Sequence, residues 1–221
     1  MPFFLRLRLF TNIIFKYLKL CLIYKIIMSN VYNYSKSNAE RRIKLEMLRV
    51  VANTLGLKNP YTEKHSESMV NLSVLTGEKL GLSGIGLENL KYGTLLHDIG
   101  KIATPDAILN KPGKLTDEEF AEIKKHPIVG YELLSSVSEE IADIVRHHHE
   151  HVDGSGYPDG LRENAIGIAA KIVAVVDVFD ALINVRPYKQ AFTKEKALEI
   201  IISNERLHFD KDVVESFVNL I

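Results

Sequence analysis

The chain has 221 residues, with 28 Lys and Arg balanced against 28 Asp and Glu. A 46% hydrophobic share with only 7 Pro and 13 Gly excludes disordered, collagen-like and disulfide-scaffold proteins. The single cysteine, Cys21, has no internal partner, which points to a reducing, cytoplasmic setting. The zero balance also argues against nucleic acid held by a basic surface.

That zero conceals an asymmetry. Residues 1–30 carry Arg6, Arg8, Lys16, Lys19 and Lys25 with no acid, and 20 of these 30 residues are hydrophobic. The remaining chain holds 23 basic against 28 acidic residues. A membrane-spanning helix needs roughly 20 mostly apolar residues. After Arg8 the uncharged stretch spans only Leu9–Phe15 before Lys16 interrupts it. No small-residue cleavage site follows, so a signal peptide fits poorly as well. Two readings stay open for residues 1–30. One is a basic amphipathic helix making weak membrane contact through residues 1–27. The other is an upstream artefact with Met28 as the true start. A separate domain is expected over residues 38–221.

From residue 38 the pattern is helical almost throughout. Ile43, Met47, Val50, Val51 and Leu55 recur at spacings of three and four, an apolar stripe on one helix. Further helices are predicted at about Tyr61–Leu80, ended by Gly81, and at Leu87–Asp98. Thr116 followed three residues later by Glu119 is a capping box that opens a helix running to about Lys125. Pro127–Ser135, Glu139–His149, Ile166–Leu182, Thr193–Ser203 and Lys211–Leu220 complete the prediction. Two loops stand out, Gly100–Lys114 and the Gly-, Asp- and Pro-rich His151–Asn164. No stretch alternates long enough to predict a strand, so the expected fold class is all-α.

The chemistry gathers around histidine. His97-Asp98 closes an apolar helix and precedes Gly100-Lys101, while His147-His148-His149-Glu150 closes another. Adjacent His and Asp at a helix end can turn toward one site and share a metal. Imidazoles with carboxylates and no thiolate suit Fe, Mn, Zn, Co or Ni. Five or more such donors exceed what one tetrahedral zinc needs, which suggests two ions. A pair of ions clamps a phosphate and activates a water, so phosphoester hydrolysis is the expected reaction class.

The motifs occur in a distinctive order. They are Leu95-Leu96-His97-Asp98-Ile99-Gly100-Lys101-Ile102, His126-Pro127-Ile128-Val129-Gly130, and His148-His149-Glu150-His151 leading into Gly154-Ser155-Gly156-Tyr157-Pro158. Asp177-Val178-Phe179-Asp180-Ala181 and Arg186-Pro187-Tyr188-Lys189 follow, and Tyr61-Thr62-Glu63-Lys64-His65-Ser66 lies upstream. Over residues 40–221 the chain resembles the HD-GYP family of HD-domain phosphohydrolases. The resemblance implies a helical bundle of the HD-domain phosphohydrolase type and a metal-dependent phosphodiesterase that hydrolyses cyclic-di-GMP to pGpG, GMP or both.

By the same resemblance His65, His97, Asp98, His126, His148, His149 and Asp177 are the expected metal ligands. Asp98 would bridge two divalent ions, Fe or Mn above all, and help hold the hydrolytic water. Tyr61 stands where some members of the family place a glutamate for a third metal, so two ions are expected. Lys101 is expected to bind phosphate and to protonate the leaving alkoxide. Arg186 and Lys189, three residues apart, are expected to grip phosphate oxygens. Tyr157 offers a ring for guanine stacking or a hydroxyl for phosphate. Glu150 and Asp153 are expected to orient ligand histidines, and Asp180 to support the fold or Arg186. His147 and His151 are expected to be non-ligands.

Asn184-Val185 before Arg186, Phe209-Asp210-Lys211 and His151-Val152 depart from the family's usual residues, and none removes a ligand. Two alternatives stay open: hydrolysis of another cyclic dinucleotide or nucleotide, and a non-catalytic signalling module. No segment reads as a receiver or sensory domain, so regulation is expected from metal redox state, signalling-protein partners or residues 1–30.

Overall fold

The computed structural model describes residues 39–44, 46, 47, 50, 62–184 and 191–221, with residues 62–66 described by their backbone alone. Residues 1–30, Tyr61, Arg186 and Lys189 therefore lie outside the described residues. The chain divides into two compact units, residues 1–47 and 48–221. In the first, residues 39–44, 46 and 47 are helical, and Ile43 and Met47 are exposed. Val50 of the same predicted stripe, in the second unit, is exposed too. Periodicity forecasts the helix but not what its apolar side meets.

The second unit is built from helices α1 (Thr62–Lys79), α2 (Ile85–Leu96), α3 (Asp106–Leu109), α4 (Asp117–Ile123), α5 (His126–Leu134), α6 (Glu139–His147), α7 (Ile168–Ile183), α8 (Lys194–Ser203) and α9 (Lys211–Val218). Short 3-10 turns occupy Ile99–Ala103 and Glu163–Ala165. Among the described residues there is no strand, only isolated bridges pairing Asp153 with Arg162 and Glu205 with Phe209. No described helix is long and apolar enough to cross a membrane.

α7 is the axis of the core. Its residues Ile172, Val173, Val175, Val176 and Phe179 are all buried, as expected of a helix that is apolar around most of its surface. They pack with Met69, Leu90, Ile201, Val213 and Phe217, and Phe179 meets Phe217 edge to face at 5.1 Å. Asp177 sits on this mostly apolar helix, and partly burying a carboxylate there costs free energy unless a cation or a donor meets it.

Helix ends decide where the polar residues go. The Thr116 capping box forms as predicted, with Glu119 N donating to Thr116 Oγ1 at 3.2 Å and Thr116 N to Glu119 Oε2 at 2.7 Å. Lys111 Nζ also donates to both Glu119 oxygens, tying the preceding loop to α4. Asp210 caps α9 and accepts from the buried Lys171 of α7 at 2.7 Å. The loop expected over Gly100–Lys114 instead contains a 3-10 turn and α3, because Lys101 N and Ile108 N find carbonyls three residues back. α2 stops at Leu96, two residues before its predicted end, which frees His97 and Asp98 to turn together.

Close backbone approach brings α5 against that turn. A Cβ built on Gly100 would lie 1.9 Å from the His126 carbonyl oxygen, and one on Gly130 would lie 2.5 Å from Val145 Cγ1. Only glycine permits three elements, the 99–103 turn, α5 and α6, to converge this tightly.

Candidate metal centre

Four histidines from three helix ends converge. His97 follows α2, His126 opens α5, and His148 and His149 follow α6. Ligand atoms of His126, His148 and His149 all lie within 4.8 Å of one another. His126 and His148 are almost fully buried, at 1% and 0% exposure. Each of three rings is oriented by a backbone carbonyl three residues earlier. His97 Nδ1 donates to Thr94 O at 2.8 Å, His126 Nδ1 to Ile123 O at 2.7 Å and His148 Nδ1 to Val145 O at 2.7 Å. Those bonds commit Nδ1 to the proton and turn Nε2 inward, as a lone pair wherever the ring is neutral.

The inward lone pairs crowd one another. His126 Nε2 and His148 Nε2 are 3.4 Å apart, and neither holds a proton to share when its Nδ1 is the donor. Two carboxylates complete the cluster. Asp98 Oδ1 lies 3.4 Å from His126 Nε2, Asp98 Oδ2 lies 3.4 Å from His97 Nε2, and Asp177 Oδ1 lies 3.8 Å from His97 Nε2. Asp98 Oδ1 is buried and makes no hydrogen bond. A buried lone pair without a donor, opposite converging imidazole lone pairs, is an arrangement that a cation completes.

The proton affinities of three rings agree. Burial drives His148 well below its ordinary value, lowers His126, and pushes His149 down to about 3. All three are thereby held neutral, the form that binds metal. Burial pulls on His97 too, but Asp98 and Asp177 outweigh it and raise that ring to about 9. Burial opposes ionisation of Asp98, yet the Lys101 ammonium and His97 hold its carboxyl well below the usual range. Lys101 Nζ donates to Asp98 Oδ2 at 2.6 Å.

The centre floors a cleft of about 290 Å³. Asp98, Lys101, His126, His149 and Asp177 form its polar side, while Phe120, Ile123, Val178, Ala181 and Leu182 form an apolar wall. Tyr157 lies between them, its ring 4.8 Å from that of His149. Burial, together with Asp177 and Asp98, pushes the Tyr157 phenol up, so it stays a hydrogen-bond donor.

A model of the HD domain matches residues 49–213. The chain belongs to the HD-domain family. Its domain is of the HD-GYP type, as its similarity to curated relatives supports. It is 43% identical over 177 residues to the cyclic di-GMP phosphodiesterase response regulator RpfG of Xanthomonas campestris pv. campestris, covering 78% of this chain and 47% of the relative. It is 40% identical over 179 residues to a cyclic di-GMP phosphodiesterase of Thermotoga maritima, covering 79% of this chain and 49% of the relative. The chain thus spans about half the length of these curated relatives. Among solved structures, a cyclic GMP-AMP specific phosphodiesterase of Vibrio cholerae superposes with a TM-score of 0.63 at 20% identity, covering 80% of this chain and 48% of that one. HD domains bind divalent metal, and the histidine cluster is where this one has donors for it.

Of the expected site residues, the HD domain gathers His97, Asp98, Lys101, His126, His148, His149, Tyr157 and Asp177 around the cleft. His65 lies in α1, with its side chain outside the described residues, as are Arg186 and Lys189 entirely. Two expectations are corrected. Glu150, 2% exposed, orients no histidine; its carboxylate accepts the backbone N–H groups of Asp159, Gly160 and Leu161 at 2.6, 3.1 and 2.9 Å. Asp153 accepts from Ser155 N at 2.8 Å. Both carboxylates follow the end of α6, where nearby loop amides need acceptors more than a distant imidazole needs orienting. Asp180 supports the fold by accepting from Asn184 Nδ2 at 2.8 Å. His147 meets Asp159 and His151 meets Ser155, both away from the centre. The apolar wall escaped sequence reading, since Phe120 and Ile123 look like any apolar positions on a capped helix.

Proposed function

We propose that this chain is a metal-dependent phosphodiesterase that hydrolyses cyclic-di-GMP to pGpG, GMP or both. The observation that carries the reading is Asp98: its two oxygens address two different histidines, and one of them is buried without a hydrogen bond. A carboxylate so arranged suits a bridge between two ions, Fe or Mn. His97, Asp98, His126, His148, His149 and Asp177 would hold them, with His65 completing the set. Divalent ions there supply Lewis-acid stabilisation of phosphate and a nucleophile at neutral pH.

The protein's own groups do the rest. Asp98 orients the attacking water by accepting its proton-bearing side at a carboxylate oxygen. Lys101, anchored on Asp98, presents its ammonium to a phosphate oxygen and donates to the departing alkoxide. Tyr157 donates its phenol hydrogen to phosphate. Arg186 and Lys189 would clamp the remaining oxygens. Two divalent cations with Lys101 also reverse the sign of an acidic domain where a dianion must sit.

The names of the relatives from X. campestris and T. maritima support the cyclic-di-GMP reading. The V. cholerae neighbour's name keeps cyclic GMP-AMP in view as a second substrate. The test is anaerobic purification, metal analysis, and a product-resolved assay across cyclic dinucleotides. Manganese- or iron-loaded protein should linearise cyclic-di-GMP, and His97→Ala or Asp98→Ala should abolish this. Intact cyclic-di-GMP after incubation with loaded protein refutes the reading. Cleavage of cyclic GMP-AMP alone would favour the second substrate, and near-zero metal content would favour a non-catalytic signalling module.

A further inference from the structure

Beside the cleft, next to the lining residues Phe120, Ile123 and Tyr157, stands Lys124. Lys124 is partly buried at the C-terminal end of α4, and its ammonium lies 5.2 Å from the Phe120 ring centroid and 5.9 Å from that of Tyr157. Among the described residues it has no carboxylate partner, whereas the neighbouring Lys101, Lys111 and Lys125 all have one. Both rings lie within cation–π reach of it, and its flexible stem lets the ammonium swing to the edge of a base on Phe120. Phe120 lines the cleft and yet is 47% exposed, a large apolar ring one turn before Lys124 that the ammonium covers only in part. Capping of α4 by Thr116 and the Lys111–Glu119 pair keep this edge rigid.

We infer that Phe120 and Lys124 form a guanine-recognition subsite, Phe120 stacking on the purine and Lys124 donating to its O6 and N7. The physical chemistry selects that occupant. An exposed ring at a cleft edge offers a stacking face that any base accepts. A lysine ammonium only donates, so it pairs with the two acceptors guanine shows at O6 and N7. Adenine places an amino donor where guanine has O6, and two donors repel. Phe120 thus supplies base affinity and Lys124 supplies base identity. The subsite rests on the proposed nucleotide substrate and gives it a preferred base.

The test separates the two claims by reading equilibrium binding of GMP and AMP to the full, manganese-loaded chain, apart from hydrolysis. Wild-type protein should bind GMP at least about tenfold tighter than AMP. Lys124→Met, which keeps the apolar stem, should bring the ratio close to one, and Lys124→Arg should retain the preference. Phe120→Ala should weaken both nucleotides by roughly tenfold and Phe120→Trp should restore them. Equal GMP and AMP affinities in the wild type, a preference that survives Lys124→Met, or affinities indifferent to Phe120→Ala each overturn the subsite. Failure to cleave any cyclic dinucleotide would overturn the proposed activity while these ratios still decide the subsite.

Discussion

Replacing Gly100 by alanine puts a methyl carbon 1.9 Å from the His126 carbonyl oxygen and 2.7 Å from Gly130 N, against the 3.4 Å at which ordinary contact begins. The 99–103 turn and the start of α5 must then part by about 1.5 Å, because both colliding atoms are backbone and no rotamer relieves them. That turn follows Asp98 directly, and α5 opens with His126, so the separation falls on the 3.4 Å gap between Asp98 Oδ1 and His126 Nε2. Overpacking of this kind costs about 1–3 kcal/mol, or roughly 2–12 °C in Tm for a domain of this size. A displacement of about 1 Å in a catalytic constellation lowers turnover on the order of 100-fold. Gly100→Ala should therefore lower Tm modestly and reduce manganese affinity and hydrolysis much more. Calorimetry, metal titration and the product-resolved assay measure the three effects. Gly167→Ala is the matched control, since a Cβ there meets nothing within 4 Å, and it should shift stability by no more than about 1 kcal/mol. A Gly100→Ala protein with wild-type manganese affinity and turnover would refute the link between the glycine contact and the metal centre.

Three further outcomes follow from the same geometry. Glu150→Gln removes the charge that gathers three loop amides and should destabilise the fold by about 2 kcal/mol, with faster hydrogen exchange at Asp159–Leu161; unchanged exchange there would contradict the anchoring role. Adding manganese to chelator-treated protein should raise Tm with the logarithm of its concentration, because the proposed centre around His126, His148 and His149 is assembled only in the folded state; a flat response contradicts the proposed centre. Burial opposes ionisation of Asp210, but Lys171 and the α9 amides hold its carboxyl below the ordinary 3.8. Its contribution to stability is thus complete above the unfolded value and disappears as pH falls through the lower folded value. Urea midpoints should show a larger loss for Asp210→Asn at pH 7 than at pH 3, and equal losses would exclude the pair as the cause.

Much of this protein is legible before folding is considered. The helices are, because apolar spacing, the Thr116–Glu119 box and glycines such as Gly81 are local signals governed by local geometry. The His97-Asp98 and His148-His149 donors are also legible, since their order along the chain is itself distinctive. Local pattern reached too far for Glu150 and Asp153. Their sequence neighbours are histidines, but the groups that need them are amides brought near by the loop's return. It reached too little for Phe120 and Lys124, whose roles depend on α4 lining the cleft beside Tyr157, 33 residues away from Lys124 in the chain. Local pattern along the chain sets most of the helices and which donors are available, though not the 3-10 turn and α3 inside the expected loop. Packing settles which donors share a centre, that Asp98 Oδ1 is buried without a hydrogen bond among the described residues, and that Lys124 stands beside Phe120 and Tyr157. Those outcomes depend on distances between residues far apart in the chain, set by how closely Gly100 and Gly130 let three elements approach, and no local propensity encodes such distances.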